Sequence, residues 1–295
     1  MGQQDQTKEF FKKNAAHWHD IAIDEVYSVI NDRHRAVHRT LSTFPNGSRL
    51  LDVGCGTGQL AIEASSNGFN ALGLDFAEEM ISQAEVNALD DKSEAKFETG
   101  SIFDFEPKEK FHVISAMGFI EYISLEQLDE FLVFCNSNTT DNGAISIGSR
   151  NRLFNLTTFN EYTEIEKKLG TLETLFEEAS ICFSSQNNEE FISSLRNYTG
   201  STCLVQNDSH PITGIEVTTR YQFTPSDLMY RIEKHGFKVT NIYSVHYHAF
   251  HPAINIENFL ITRKQISDKV SESYQADFRF LPNASSFVME AIKVS

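Results

Sequence analysis

Apolar residues along this chain gather into short runs that alternate with stretches of helical spacing, the pattern of strands interleaved with helices. Residues 5–40 read as helices, with Phe10, Phe11, Trp18 and Ile21 as apolar contacts. Pro45-Asn46-Gly47 marks a turn, and a first strand follows from about Arg49 to Val53. The next helix, through Leu60, Ala61, Ile62 and Ala64 to about Ser66, closes at the C-cap pair Asn67-Gly68. A second strand runs from Asn70 to Leu74, and Met80, Ile81, Ala84 and Ala88 give helical spacing over Glu78–Leu89. Ala95–Glu98 is the third strand. Phe111–Ala116 is an apolar run suited to a strand buried on both faces of a parallel sheet. Leu125–Cys135 reads as a helix, Asn142-Gly143 as a turn and Ala144–Gly148 as a fifth strand.

The alternation then breaks. Residues 151–223 form a long insertion with a helix through Ile165, Leu169, Leu172, Leu175, Phe176 and Ala179, and its many glutamates read as a solvated face. Thr224-Pro225-Ser226-Asp227 starts a helix with proline in its first turn, which Gly236 ends. A sixth strand spans Lys238 to about Tyr247, residues 254–272 suggest a helix, and Ser286–Lys293 follows Pro282-Asn283 as a final strand. This order predicts an α/β fold: a doubly wound, mostly parallel seven-stranded sheet of Rossmann-like type with a helical insertion. Four segments follow: N-terminal helices over 1–48, a core over 49–150, a substrate-covering insertion over 151–223, and the rest of the sheet over 224–295. Ligands of such sheets bind beyond the carboxyl ends of the strands.

Composition narrows the function classes. At 295 residues, 40% hydrophobic and with 24 Phe, the chain suits one large domain or one domain with a sizeable insertion. A net charge of −16 argues against a general nucleic-acid binder, which needs a basic face. Cys55, Cys135, Cys182 and Cys203 are scattered without metal-type pairing, so no metal site is expected and a reduced, cytoplasmic setting fits best. Met1–Lys13 is polar, not a signal peptide, and no run approaches the roughly 18 apolar residues of a membrane span.

The candidate chemistry centres on Leu50–Gln59, Leu-Leu-Asp-Val-Gly-Cys-Gly-Thr-Gly-Gln. Two apolar residues lead into Asp52, and Gly54, Gly56 and Gly58 follow at alternate positions, where missing Cβ atoms let a ligand approach the backbone. The dinucleotide fingerprint places a glycine at position 59, where this chain has Gln59, so a nicotinamide cofactor is disfavoured. Asp75, at the end of strand 2, is placed to accept hydrogen bonds from both hydroxyls of a ribose, a role that serves several nucleotide cofactors.

The Asp-x-Gly-x-Gly-x-Gly run resembles motif I of the class I S-adenosylmethionine (SAM)-dependent methyltransferases. Residues 111–123, Phe-His-Val-Ile-Ser-Ala-Met-Gly-Phe-Ile-Glu-Tyr-Ile, look like the strand-4 motif of small-molecule methyltransferases similar to the ubiquinone-biosynthesis O-methyltransferases. Ser285–Ala291 resembles their terminal strand, which in that family runs antiparallel to the rest. The resemblance covers residues 49–149 well and 224–293 more loosely. It implies SAM as cofactor and S-adenosylhomocysteine (SAH) as product, with Asp52, Gly54, Gly56 and Gly58 near the amino-acid half of SAM and Asp75 on its ribose. Phe76 and Ile102 would sandwich the adenine, Met80 and Ser101 would lie on the cofactor side, and Met117 beside the sulfonium. Relatives carry Asp just after the strand-3 glycine, where this chain has Gly100-Ser101, with Asp104 the nearest carboxylate.

For the acceptor, strand alternation puts His246 and His248 on one face at the rim of strand 6, as candidate bases, as packing residues, or as a His-x-His metal pair that no carboxylate clearly completes. His17 and His19, around Trp18, read as lid or packing residues. Arg150 and Arg152 follow strand 5, suited either to binding a carboxylate or phosphate or to salt bridges with the Glu-rich insertion. The expected function is methyl transfer to a small-molecule acceptor, most simply an oxygen. A non-catalytic SAM-binding subunit or sensor is the alternative, and a homodimer is left open.

Overall fold

The computed structural model of the protein describes residues 28–198, 204–206, 220–249 and 260–294. Phe10, Phe11, His17, Trp18, His19, Ile21, Cys203, Phe250 and His251 lie outside the described residues. Helix α1 (Ser28–Leu41) precedes β1 (Arg49–Val53), α2 (Gln59–Ser66), β2 (Asn70–Asp75), α3 (Glu78–Asp90) and β3 (Lys96–Thr99). Then come β4 (Phe111–Ala116), α4 (Leu125–Asn138) and β5 (Thr139–Arg150). The sheet order is β3-β2-β1-β4-β5-β9-β8, where β8 is Phe237–Tyr247 and β9 is Ala284–Lys293. Strands β1 to β5 pair in parallel, while β9 is antiparallel to both its neighbours. The carboxyl end of β8 therefore lies at the same edge as those of β1 to β5.

Alternating side chains explain why both faces are covered. Leu50 and Val113 join Val37, Leu41, Leu60 and Ala61 on one face, under α1 and α2. Their neighbours Leu51 and Ile114 join Phe131, Leu132, Leu228 and Ile232 on the other, under α4 and α9 (Pro225–Lys234). Such two-sided burial is what the apolar runs of a parallel sheet encode.

Three local expectations are corrected. Asn142-Gly143 is not a turn between helix and strand but a bulge inside β5: Thr139 pairs with Phe111 and Ala144 with Val113. At Gly143 a Cβ would lie 2.8 Å from the His112 carbonyl oxygen, so only glycine lets the strand run on. The single insertion helix is two, α6 (Glu161–Leu169) and α7 (Leu172–Ser184), separated by Gly170 in a left-handed C-cap. The glutamates are not all solvated, since Glu166 and Glu178 are fully buried.

Those two carboxylates explain how the insertion is held. Besides α6 and α7 it contains α5 (Asn155–Thr158), α8 (Asn188–Asn197), and the antiparallel pair β6 (Leu204–Gln206) and β7 (Arg220–Gln222). Its two ends meet where the Arg152 amide donates to the Phe223 carbonyl and the Phe223 amide donates to the Arg150 carbonyl. Beside this neck Arg152 donates from Nε and Nη2 to the two oxygens of Glu166, both at 2.8 Å, with neither side chain exposed. Glu178 accepts from the Ser226 amide and hydroxyl, both at 2.8 Å, docking α7 onto the N-terminus of α9. Phe191 of α8 stacks on Phe278 with centroids 4.5 Å apart. The helices α7 and α8 thus form part of the core.

Burial pushes the Glu178 carboxyl up to about 7, against the hydrogen bonds from Ser226 and Thr224 that favour its charge. An unfolded glutamate titrates near 4.5, so the native state holds the extra proton between these values. Stability from this site is therefore greatest below about 4.5 and declines as pH rises through about 7. Glu178→Gln cannot ionise. The urea midpoint of the parent, measured relative to that of Glu178→Gln, should fall across this window and level off above it.

Candidate functional site

All six parallel strands end at one edge, and the candidate residues collect there. Leaving β1, the chain turns sharply: the Gly54 and Cys55 amides donate to the Leu74 carbonyl at 2.8 and 3.2 Å. The Gly56 amide donates to Asp75 Oδ2 at 3.0 Å, and the Ala77 amide to Oδ1 at 2.9 Å. One carboxylate thereby ties the turn after β1 to the start of α3. The Phe76 amide also bonds it, and with about four lone-pair sites on a carboxylate these amides leave capacity for a further hydroxyl donor. Burial raises the Asp75 pKa, while the Ala77, Gly56 and Phe76 amides hold the charge.

The glycines of the turn serve different ends. Gly56 has φ +54, and a Cβ built on it meets nothing within 4 Å, so it faces open space. Gly58, φ +87, is closed in: a Cβ would stand 2.7 Å from the Phe97 ring and 2.9 Å from Ala84. The first position has the form of a ligand floor. The second lets α2 and α3 pack.

Asp52 is engaged within the sheet. It is buried and accepts from the Ser115 hydroxyl at 2.8 Å, bracing β1 against β4. Burial, partly offset by that hydrogen bond, pushes its carboxyl up to about 6. Phe76 is half-buried after β2, and Met80 is buried on α3. Ile102 is buried after β3, where half-buried Ser101 accepts from the Phe103 amide at 3.3 Å. Met117 is half-buried at the end of β4, its sulfur 3.0 Å from where a Gly148 Cβ would stand. The cofactor-type candidates thus share the ends of β1 to β4, with Asp52 bonded to Ser115 between β1 and β4.

At the end of β5 the two arginine candidates part company. Arg152 is sealed against Glu166, whereas Arg150 donates from Nε to Glu121 Oε2 at 2.9 Å. Glu121 also pairs with Arg33 of α1 at 3.5 Å. Arg150 further bonds the Tyr162 phenol; burial works against its charge, but the Glu121 carboxylate holds its pKa above the usual value. Neither Glu121 nor Arg33 stood out in the sequence. Glu121 lies inside the strand-4 motif, but nothing in its spacing marks its partners.

His246 and His248 do come together, their rings in edge contact at 4.3 Å. His246 has φ +55 at the strand end, its amide donating to Asp32 Oδ2 and its Nδ1 lying 2.9 Å from the Ser285 hydroxyl. His248 stacks on Phe154 at 4.6 Å. A second polar knot ties α1 to α2: His34 and His38 both bond Glu63. Although burial pushes Glu63 up, these bonds hold its carboxyl down at about 2. Among the described residues no group of three or more His, Cys, Asp or Glu could hold a metal ion, and no helix is long and apolar enough to cross a membrane.

Residues 50–143 match the family model of the methyltransferase domain. A ubiquinone biosynthesis O-methyltransferase from Rhodopseudomonas palustris (strain HaA2) is 27% identical over 107 residues, covering 36% of this chain and 42% of that protein. One from strain TIE-1 is 29% identical over 108 residues, covering 36% of this chain and 41% of that protein. The match thus spans about two fifths of the length of these relatives. Among solved structures, magnesium protoporphyrin IX methyltransferase from Synechocystis PCC 6803 with bound SAH aligns over 98% of this chain and 99% of its own, with TM-score 0.57 and 13% identity. The 1,6-didemethyltoxoflavin-N1-methyltransferase of Burkholderia thailandensis aligns over 99% and 89%, with TM-score 0.59 and 10% identity. At these identities the structures establish the shared fold.

Asp75→Ala would leave the Gly56 and Ala77 amides without their acceptor. A stability loss of about 1–3 kcal/mol in urea denaturation is expected, with faster hydrogen exchange at those two amides.

Proposed function

Because residues 50–143 form a class I SAM-dependent methyltransferase domain, we propose that the protein transfers a methyl group from SAM to a small-molecule acceptor, at an oxygen. The observation that carries this is the pairing of Gly56, open to ligand, with an Asp75 carboxylate that keeps hydrogen-bonding capacity beside it. The relatives named as O-methyltransferases support oxygen as the methylated atom.

The residues present fit SAM. Gly54 and Gly56 would lie against its amino-acid half, Asp75 would bind the ribose hydroxyls, and Phe76 and Ile102 would enclose the adenine, with Met80 and Ser101 completing that wall. Met117 stands at the end of β4, toward the acceptor. SAM, when bound, supplies an electrophilic methyl and a good leaving group, so the protein's share is orientation and exclusion of water. The insertion contributes a wall to the acceptor space: its helices α7 and α8 are packed into the core at Cys182, Phe191, Ile192 and Leu195.

We read His246 and His248 as lining the far side of that space. Strand β8 stands three positions from β4 in the sheet, about 14 Å at the usual strand spacing. Side chains span part of this distance, since Met117 packs against the cluster that includes Tyr243 and Val245 of β8, but His246 and His248 are themselves engaged with Ser285 and Phe154.

Two experiments test this reading. Calorimetry should show SAH binding to the parent that Gly56→Val severely weakens, because the branched side chain enters the ligand space. Labelled methyl that never leaves bound SAM with any acceptor would favour a binding subunit over an enzyme. For the histidines, His246→Asn and His248→Asn should each keep turnover within about threefold of the parent, whereas loss of a positioned base costs about 10²–10⁴-fold. A loss of that size with SAH affinity intact would make the affected residue the base.

A further inference from the structure

We infer that Phe119 recognises the positive charge of the methyl donor, its aromatic ring holding the sulfonium of SAM by a cation–π contact. The inference rests on the methyltransferase reading and adds a cofactor-discriminating residue to that site.

The placement follows from adjacent strand ends. Met117, Gly118 and Phe119 run directly on from β4, which lies beside β1 in the sheet. Gly118 has φ +70, a left-handed step that glycine takes readily. Beyond it the Phe119 side chain covers the turn leaving β1. A Cβ built on Gly54 would stand 3.5 Å from the Phe119 Cβ and 3.6 Å from its Cδ2, ordinary van der Waals contact. Met117 takes the opposite direction, with its sulfur beside Gly148 of β5. The two side chains flank the end of β4. A ligand laid from the open Gly56 toward Met117 therefore passes Phe119.

The ring is held in place from behind. It packs on Phe131, which has no exposed surface, with centroids 5.2 Å apart and planes at 67°. Ile120, the next residue, is likewise sealed in the core, and the Tyr122 amide donates to the Phe119 carbonyl at 3.1 Å. Phe119 itself is only half-buried, which leaves part of it for a ligand.

Electrostatics favour an aromatic partner here. The carboxylates that bear on this edge are already engaged: Asp52 with the Ser115 hydroxyl, Asp75 with the amides of Gly56, Phe76 and Ala77, and Glu121 with Arg33 and Arg150. The face of an aromatic ring attracts a cation through its quadrupole, with no charge of its own to bury or titrate. Sulfur carries the charge only until the methyl leaves. The contact therefore favours SAM and relaxes its hold on the neutral thioether of SAH, so it separates methyl donor from product.

The test is calorimetric titration of the full chain with SAM and with SAH. Phe119→Leu keeps an apolar side chain against Gly54 and Phe131 but has no π face. Its ratio of SAM affinity to SAH affinity should fall about fivefold from the parent's, equivalent to about 1 kcal/mol, with SAH affinity held within about twofold. Phe119→Tyr keeps the π face and should keep the parent's ratio. If Phe119→Leu fails to fold by circular dichroism, difluorophenylalanine at position 119, similar in shape but poorer in π electrons, should lower the ratio in the same direction. An unchanged ratio in whichever of these two proteins folds, equal losses of SAM and SAH, or a ratio that falls as far in Phe119→Tyr would each overturn the sulfonium contact. With SAH bound by the parent, any of these leaves the methyltransferase reading standing. A parent that binds neither SAM nor SAH overturns that reading and the role of Phe119 with it.

Discussion

The site depends on one carboxylate. Asp75 ends β2 and accepts the amides of Gly56 and Ala77, so the turn leaving β1 and the start of α3 are fixed to one point. Without such an acceptor the backbone groups of a tight left-handed turn would have to find water, and the turn would have no fixed shape. Because β1 lies between β2 and β4, the position of this turn sets where ligand sits relative to every other strand end. Asp52 braces the same strand against β4 through Ser115. Two buried acids thus fix the turn, one through its amides and one through the neighbouring strand.

Buried polar groups also organise the periphery. The insertion leaves and re-enters the sheet at a neck closed by backbone bonds between Arg150, Arg152 and Phe223. Arg152–Glu166 and Glu178–Ser226 then commit the inserted helices to one docking. The Arg152–Glu166 ion pair contributes little net stability compared with an apolar replacement, but losing one partner strands a buried charge, and losing the Ser226 hydroxyl takes a hydrogen bond from the buried Glu178 carboxyl. Their effect is to specify an arrangement, and here the arrangement places α6, with Tyr162, against Arg150 at the end of β5.

Helix α1 links these regions to function. It runs across the sheet face, packing Val37 and Leu41 near β1 and Ala36 against β8 and β9. Its polar residues reach the rim on several sides: Asp32 bonds the His246 amide, Arg33 pairs with Glu121, and His34 and His38 clamp Glu63 of α2. One helix therefore couples the ends of β4 and β8 to the helix that follows the glycine turn.

How much of this was legible in the sequence depends on the range of the cause. The α/β class, the strand run Phe111–Ala116, the glycine turn and the strand-end position of Asp75 are written locally, in apolar periodicity and in residues whose backbone freedom or chemistry acts within a few positions. The Asn142-Gly143 bulge misled because its meaning rests on the strand beside it, where His112 leaves no space for a Cβ. The glutamates of the insertion misled because composition cannot tell a solvated carboxylate from one that Arg152 or Ser226 has buried. Glu121 joins Arg33, 88 residues away, and Arg150. No periodicity records such a pairing, since it exists only once α1, β4 and β5 are packed. Local pattern determined the fold class and the cofactor-type turn. Tertiary packing decided which charges stay at the strand-end edge and which are sealed inside the protein, because burial and partner choice are properties of the assembled chain.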